Sequence, residues 1–271
     1  MSDGNANAAE YSCKGIKADN SITISGGTIN IKAHDDAIHA NNDVVFEDGV
    51  SYGDGVINIS GGTLNLYSDD DGIHADSTLN VSGGKISVAK SYEGVEAPYL
   101  NFKNGTLNIT SSDDAINACG TTSAKVTITG GVIYFNAGGD GLDSNGTIIM
   151  SGGVVMAQGP SNGGNGVLDF DGSFTFNGGF LLTVGCSGMN QKPTASSGNT
   201  VTTKSISASA SSYVVVTIDG NEVAVLKITK NSQNYCVLAY NNAEYGSGTA
   251  TVSVTTTTSK TLTDGLYYIA E

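Results

Sequence analysis

Two signals recur through the first two-thirds of the chain with a basic period of 22 residues, and few architectures accommodate so short a repeat. The first is a small residue followed by an aliphatic one: Gly15-Ile16, Ala37-Ile38, Gly72-Ile73, Gly94-Val95, Ala115-Ile116, Gly141-Leu142 and Gly166-Val167. Successive occurrences lie 22, 35, 22, 21, 26 and 25 residues apart, so the period carries insertions of 13, 4 and 3. The second follows about eleven residues later, a glycine pair inside alternating apolar residues: Gly26-Gly27, Gly61-Gly62, Gly83-Gly84, Gly130-Gly131, Gly152-Gly153 and Gly178-Gly179, with Asn104-Gly105 as a variant.

Each unit reads as three short strands. In the third these are Gly72-Ile-His-Ala, Leu79-Asn-Val-Ser and, beyond the glycine pair, Ile86-Ser-Val-Ala. The alternation has period two, as strands require, and it points Ile73, Leu79, Val81, Ile86 and Val88 to one interior. A unit this short cannot bury its own apolar face and must stack on copies of itself. The expected fold is all-β: a single-stranded parallel β-helix of about seven 22-residue coils over residues 13–188. A polar tail, 1–12, precedes it. A connector, 189–204, leads to a mainly antiparallel C-terminal β cap, 205–271, expected to cover the open end of the stack. The insertion Gly49-Val-Ser-Tyr-Gly-Asp-Gly-Val lengthens one corner of the second coil, either as a plain loop or as a groove wall.

The repeat explains the 37 glycines among 271 residues, since each corner needs a residue tolerant of positive φ. The formal charge of −14 is concentrated: residues 1–200 carry 21 acids and 8 lysines, and the remainder 5 and 4. Arginine and tryptophan are absent. Without a basic patch, nucleic acid and anionic lipid are poor partners. No apolar run is long enough to span a membrane, and the polar start lacks a signal-peptide core, so any export signal lies outside this chain. The cysteines (Cys13, Cys119, Cys186, Cys236) are far apart, compatible with buried thiols or with one or two disulfides, and their spacing implies no zinc site.

In a β-helix, equivalent positions of successive coils become neighbours about 4.8 Å apart. The residue before each small-aliphatic pair is Asp36, Asp71, Glu93, Asp114, Asp140 and then Asn165. The position before that adds Asp35, Asp70 and Asp113. Ionised carboxylates at that spacing repel by roughly 3–4 kcal/mol at an effective dielectric of 20, so the column either raises pKa values or holds cations. Calcium suits such a ladder, because it takes many oxygen ligands in irregular cages. A second column, two residues after the small residue, faces outward: Lys17, His39, His74, Glu96, Asn117 and Asp143. These polar groups, with Tyr92 as a nearby stacking surface, are candidate saccharide contacts. Two stacked imidazoles without a third fixed ligand do not by themselves make a transition-metal centre.

The strings Ser91-Tyr-Glu-Gly-Val-Glu-Ala, Ser112-Asp-Asp-Ala-Ile-Asn-Ala, Gly139-Asp-Gly-Leu-Asp-Ser-Asn-Gly and Gly163-Gly-Asn-Gly-Val-Leu-Asp-Phe-Asp-Gly resemble a bacterial, clostridial-type family of β-helix carbohydrate-binding proteins. The likeness runs from Cys13 to Met189. It implies a right-handed helix similar to pectate lyases, bound calcium, and an extracellular or cell-surface location. It also implies affinity for plant-type polysaccharide, either cellulose-like or an acidic-sugar polymer such as polygalacturonate. A lyase would need calcium on a uronate carboxylate and a base to take the α-proton. The related lyases use arginine or lysine for this; here only Lys14, Lys17 or Lys90 could serve, and none carries a pattern that marks it as activated. The expected function is therefore calcium-dependent, non-catalytic polysaccharide binding by a monomer. A lysine-based lyase and a calcium-rigidified structural rod or adhesin are the alternatives.

Overall fold

A computed structural model describes residues 13–42 and 54–269, so the polar tail and most of the corner insertion lie outside the described residues. Seven short strands pair in parallel, each with its neighbour in the next coil: β1 (Ile16–Ala18), β3 (Ile38–Ala40), β5 (Ile73–Ala75), β7 (Val95–Glu96), β9 (Ile116–Ala118), β11 (Leu142–Ser144) and β13 (Leu168–Phe170). Seven long strands alternate with them and pair in the same order: β2 (Ser21–Lys32), β4 (Val56–Tyr67), β6 (Thr78–Lys90), β8 (Tyr99–Thr110), β10 (Lys125–Asn136), β12 (Thr147–Gln158) and β14 (Ser173–Gly185). The stack is a parallel β-solenoid, as the repeat requires.

The expected second and third strands of each unit run as one long strand bent at its glycine pair. Pairing slips by one step at the bend, for example between Ile24 and Ser25, and resumes at Thr28 opposite Thr63. This is a bulge-like corner, which turns the chain without ending the ladder. The second glycine of every corner, from Gly27 to Gly179, has φ between 80° and 97°. Inward residues of both sheets, among them Ile38, Ile73, Leu79, Ile86, Leu100 and Ile116, are fully buried in one continuous core. Burying each such side chain contributes about 1.5–3 kcal/mol.

One register assignment differs from the sequence reading. The last coil aligns Gly141 with Val167, not Gly166, because Leu142 pairs with Leu168. Slipping by one residue would exchange inward and outward faces. The observed register buries Leu168 completely and places Asp169 beside Asp143.

The C-terminal region also departs from expectation. The segment read as a connector contains β15 (Thr194–Ala195) and the start of β16 (Asn199–Ala208). β15 pairs with the first half of β14, and β19 (Gln233–Asn241) pairs antiparallel with its second half. β16 then adds to β19. These strands satisfy the edge that the last coil would otherwise expose. The remaining strands, β17 (Tyr213–Ile218), β18 (Asn221–Lys227), β20 (Ala250–Thr255) and β21 (Leu266–Tyr268), form a separate antiparallel sheet in the order β20-β17-β18-β21. A single helical turn, α1 (Asn242–Tyr245), follows β19.

That sheet covers a side of the solenoid and not its end. Its Val214, Val216, Ile218 and Leu226 pack on Val154, Met156, Phe180 and Leu182, the outward residues of β12 and β14. The matching outward positions earlier in the stack are polar, Thr28, Asn30, Thr63 and Asn65 in the first two coils. The switch from Thr and Asn to Val, Met, Phe and Leu marks where the sheet docks.

A pair of substitutions separates corner conformation from coil stacking. Gly27→Ala meets nothing within 4 Å, whereas a Cβ on Gly105 would lie 2.8 Å from the backbone of Gly83 and Gly84. Both replacements carry the strain of positive φ, about 1–3 kcal/mol. Gly105→Ala should cost at least about 1 kcal/mol more, from overpacking against the preceding coil. Urea unfolding midpoints of the two variants measure the difference.

Candidate functional site

The short-strand sheet builds the site, because its central residues alone point outward. Register places Lys17, His39, His74, Glu96, Asn117, Asp143 and Asp169 in one column. The acidic column lies at the adjoining corner. Backbone bonds from Gly15 to Asp36, Ala37 to Asp71, Gly72 to Glu93, Gly94 to Asp114 and Ala115 to Asp140 put these five residues in successive coils. The sixth position is Gly166, not Asn165, a consequence of the register of the last coil.

The corner aspartates have a structural task that the sequence did not reveal. One oxygen of each accepts the backbone N–H that opens the next coil. Asp36 Oδ1 accepts from Asp71 at 3.1 Å, Asp71 Oδ1 from Glu93 at 3.3 Å, Asp114 Oδ1 from Asp140 at 2.6 Å, and Asp140 Oδ1 from Gly166 at 2.5 Å. At a corner where main-chain pairing lapses, a buried N–H would otherwise be left without an acceptor. A short carboxylate, with its oxygens close to its own backbone, meets this need.

The other oxygens divide the ladder in two. In the first coils they meet lysine and histidine side chains. Lys14 Nζ lies 2.8 Å from Asp35 and 2.5 Å from Asp36. His39 Nδ1 is 2.6 Å from Asp36 Oδ2, and His74 Nδ1 is 3.1 Å from Asp71 Oδ2. The two imidazoles stack, with centroids 4.3 Å apart and planes 8° from parallel. Burial alone would raise Asp36, but hydrogen bonds from His39 and Lys14 hold it at about 2. Burial would likewise lower His74, yet Asp71 and Glu96 raise it to about 9.

Further along, compensation ends. Among the described residues no lysine or histidine pairs with Asp113, Asp114, Asp140, Asp143 or Asp169. Burial, followed by the like charges of Asp140 and Asp113, raises Asp114 to about 7. Burial, with Asp169 and Asp140, raises Asp143 to about 6. Glu93 is also raised, chiefly by burial. Asn117 donates to Glu93 Oε2 at 2.9 Å, while its own Oδ1 is buried with no hydrogen-bond partner. Carboxylates with no cation beside them and an orphaned amide oxygen are the donor types that suit a hard dication, while the donor groups that converge within 4.8 Å among the described residues, Asp36–His39–His74, Asp71–His74–Glu96 and Asp35–Asp36–Asp70, lie in the earlier coils.

The remaining candidates sort by position. Asp70 stands with Asp35 and Asp36 as a possible ligand group. Tyr92 is half-exposed, and its hydroxyl hydrogen-bonds Asp113, which raises its pKa. Lys17 pairs with Asp19 at 3.4 Å in the first coil, apart from the acidic groups. Burial would lower Lys14, but Asp35 and Asp36 raise it; Lys90 is raised by Asp69. Neither Lys14 nor Lys90 is therefore poised to accept a proton. Cys13 is exposed, Cys119 and Cys186 half-buried and Cys236 buried, so burial holds fully only for the last. The Cys119 thiol donates to Glu96 at 2.7 Å, and burial followed by that bond pushes its pKa up. Sequence reasoning missed Asp169, hidden by the register slip, and Asp76. Asp76 lies two residues after His74, and its Oδ1 faces the Nε2 atoms of His39 and His74 at 2.9 and 3.4 Å.

Stability should carry the signature of this division. The folded protein holds protons on Asp114 and Asp143 that the unfolded chain releases near 3.8, so stability falls as pH rises from there to about 7. His74 adds a loss in the same direction, its contribution full below 6.5 and gone above about 9. Asp36 acts oppositely, its contribution present above 3.8 and lost as pH falls toward about 2. Calorimetry in chelator should show the melting temperature dropping by several degrees between about pH 4 and 7. Asp114→Asn, which keeps the acceptor for Asp140 but cannot ionise, should reduce the drop.

Among the described residues no helix is long and apolar enough to cross a membrane. A family model described as "carbohydrate-binding domain-containing protein" matches residues 2–54 and again 51–94, together about a third of the chain. The two matches follow one another along the chain, in keeping with its repeat. No curated protein and no solved structure matches the chain.

Proposed function

We propose that this protein is a non-catalytic polysaccharide-binding module whose grip on acidic polymer runs through calcium. The observation that carries the reading is the uncompensated half of the ladder beside the orphaned Asn117 oxygen. The family match over residues 2–94 supports a carbohydrate partner. Glu93, Asp113, Asp114, Asp140 and Asp143, with Asn117 Oδ1, are the residues that would hold calcium. Asp35, Asp36 and Asp71 are less suited, since Lys14, His39 and His74 already occupy their oxygens.

Calcium bound there supplies positive charge to which uronate carboxylates can bind. The chain's own contribution is a straight, outward strip that positions those oxygens at successive coils. Glu96 and Asp143 offer acceptors to sugar hydroxyls, and the half-exposed Tyr92 offers a ring face. Lyase chemistry is disfavoured, because Lys14 and Lys90 are held protonated by carboxylates and Lys17 is paired with Asp19. An extracellular or cell-surface setting fits a polymer too large to enter a cell.

Binding is tested by retention of the protein on immobilised polygalacturonate, and on cellulose, with calcium or with chelator. Calcium-dependent retention on polygalacturonate is expected, weakened at least about tenfold in Asp114→Asn plus Asp143→Asn. Retention that ignores chelator and both substitutions would contradict the calcium route. Appearance of unsaturated uronate product in the same incubation would replace this reading with the lyase.

A further inference from the structure

We infer that the junction between the solenoid and the docked sheet is a second sugar-binding site, one that takes a stretch of uncharged glycan without calcium. A cleft of about 550 Å³ opens there. On the solenoid side it is lined by the glycine-pair corners of the fifth and sixth coils, Gly130-Gly131 and Gly152-Gly153. α1 contributes Tyr245 and β21 contributes Tyr268. Its volume falls within the range of about 300–1,000 Å³ typical of small-ligand sites.

The lining has the chemistry that a sugar ring needs, apolar C–H groups on its faces and hydroxyls round its edge. Glycine pairs present bare backbone, which a ring can approach closely. Thr129 and Ser151, each the residue before a pair, are exposed and offer hydroxyls at the same corner position of adjacent coils. Coils stack about 4.8 Å apart, close to the length of one pyranose unit. In the fourth coil the pair is replaced by Asn104-Gly105, and the exception has a use here. Asn104 Oδ1 accepts the Gly105 N–H at 2.8 Å, which leaves the amide NH2 to donate to a ligand oxygen. Tyrosine adds a rigid apolar face with a polar tip. Tyr245 is held in place by Phe180, with ring centroids 5.1 Å apart.

The site continues past Tyr268. A smaller hollow of about 160 Å³ shares Tyr268 and Val132 with the cleft and adds Thr106 and Asn108 of the solenoid and Thr263 of the sheet side. A chain of sugars, and not only a single ring, can therefore follow the junction, with Tyr268 common to both parts. Charge selects among glycans. Glu244 lines the cleft and no lysine does, while the smaller hollow carries one residue of each sign, Lys85 and Asp264. A uronate chain would set carboxylate against carboxylate, which costs affinity. None of these residues belongs to the short-strand sheet that carries the mixed column. The inference shares only the class of partner with the proposed function, and it stands if the calcium route fails.

The test is saturation-transfer NMR on the full chain in chelator, with cellohexaose, mannohexaose and xylohexaose as neutral probes and an oligogalacturonide of the same length as the charged one. At least one neutral hexasaccharide should bind, and the oligogalacturonide should not. Ser151→Phe sets a bulky ring in the cleft from an exposed position and should abolish binding without lowering the melting temperature. Tyr268→Ala should weaken binding by about tenfold or more. His34→Ala, exposed and outside the junction, should change nothing. A wild-type chain that binds none of the three neutral probes would overturn the site. So would neutral binding that survives both Ser151→Phe and Tyr268→Ala, or that appears only when calcium is restored. Oligogalacturonide binding in chelator that Ser151→Phe removes would overturn the preference for uncharged glycan. Because every arm is run in chelator, failure here is distinct from failure of the calcium route. Ser151→Phe decides the matter if Tyr268→Ala does not fold.

Discussion

The parallel hydrogen-bond ladder between successive coils is the constraint on which everything else depends. Because each residue pairs with its counterpart one coil away, a property repeated in sequence becomes a continuous column in space. The apolar columns close the interior, and the glycine column makes the bend at Gly27 through Gly179. The acidic and mixed polar columns line one outer face. Each coil is stabilised by its two neighbours, as expected of a stack with no long-range closure. The terminal coil breaks that symmetry, and β15 and β19 supply the partner that a next coil would have given.

Electrostatics on this frame depend on neighbours more than on residue type. Asp36 and Asp114 occupy equivalent corners and accept equivalent backbone bonds. One is held at about 2 and the other at about 7, because Lys14 and His39 stand beside the first and only carboxylates stand beside the second. Capping the next coil explains why an aspartate is useful at each corner. It does not explain why cations accompany only the first ones. That asymmetry separates a self-neutralised region from one that gains by recruiting a cation from solution.

Much of this was legible in the chain. The 22-residue period fixed the stacking, and the position within each period correctly assigned both polar columns from Asp36 to Asp140 and from Lys17 to Asp143. Three things were not legible. Capping by Asp71 or Asp140 is a bond to the next coil's backbone, which has no side-chain signature. The slip at Val167 followed from matching Gly166 to a glycine when burial of Leu168 was the stronger demand. Asp76 belongs to no column, since it follows the short strand, and only the spatial approach of two histidine rings makes it a partner. The docked sheet was half legible: its strands could be read, but its position depended on Phe180 and Leu182 facing outward, and their place in the column carried that information.

The mixed column has a direction. It begins with Lys17 and two histidines, each paired with carboxylates, and ends with Asp143 and Asp169, so the outward face grades from charge-compensated to anionic along the rod. The antiparallel sheet docks on the long strands and leaves this face running unbroken over all seven coils. An elongated ligand lying along it meets different chemistry at its two ends. Laying the same chain down in the opposite sense reverses every pairing, so the two orientations cannot be equal in energy. The rod is thus a vectorial surface, able to distinguish the head of a polymer from its tail.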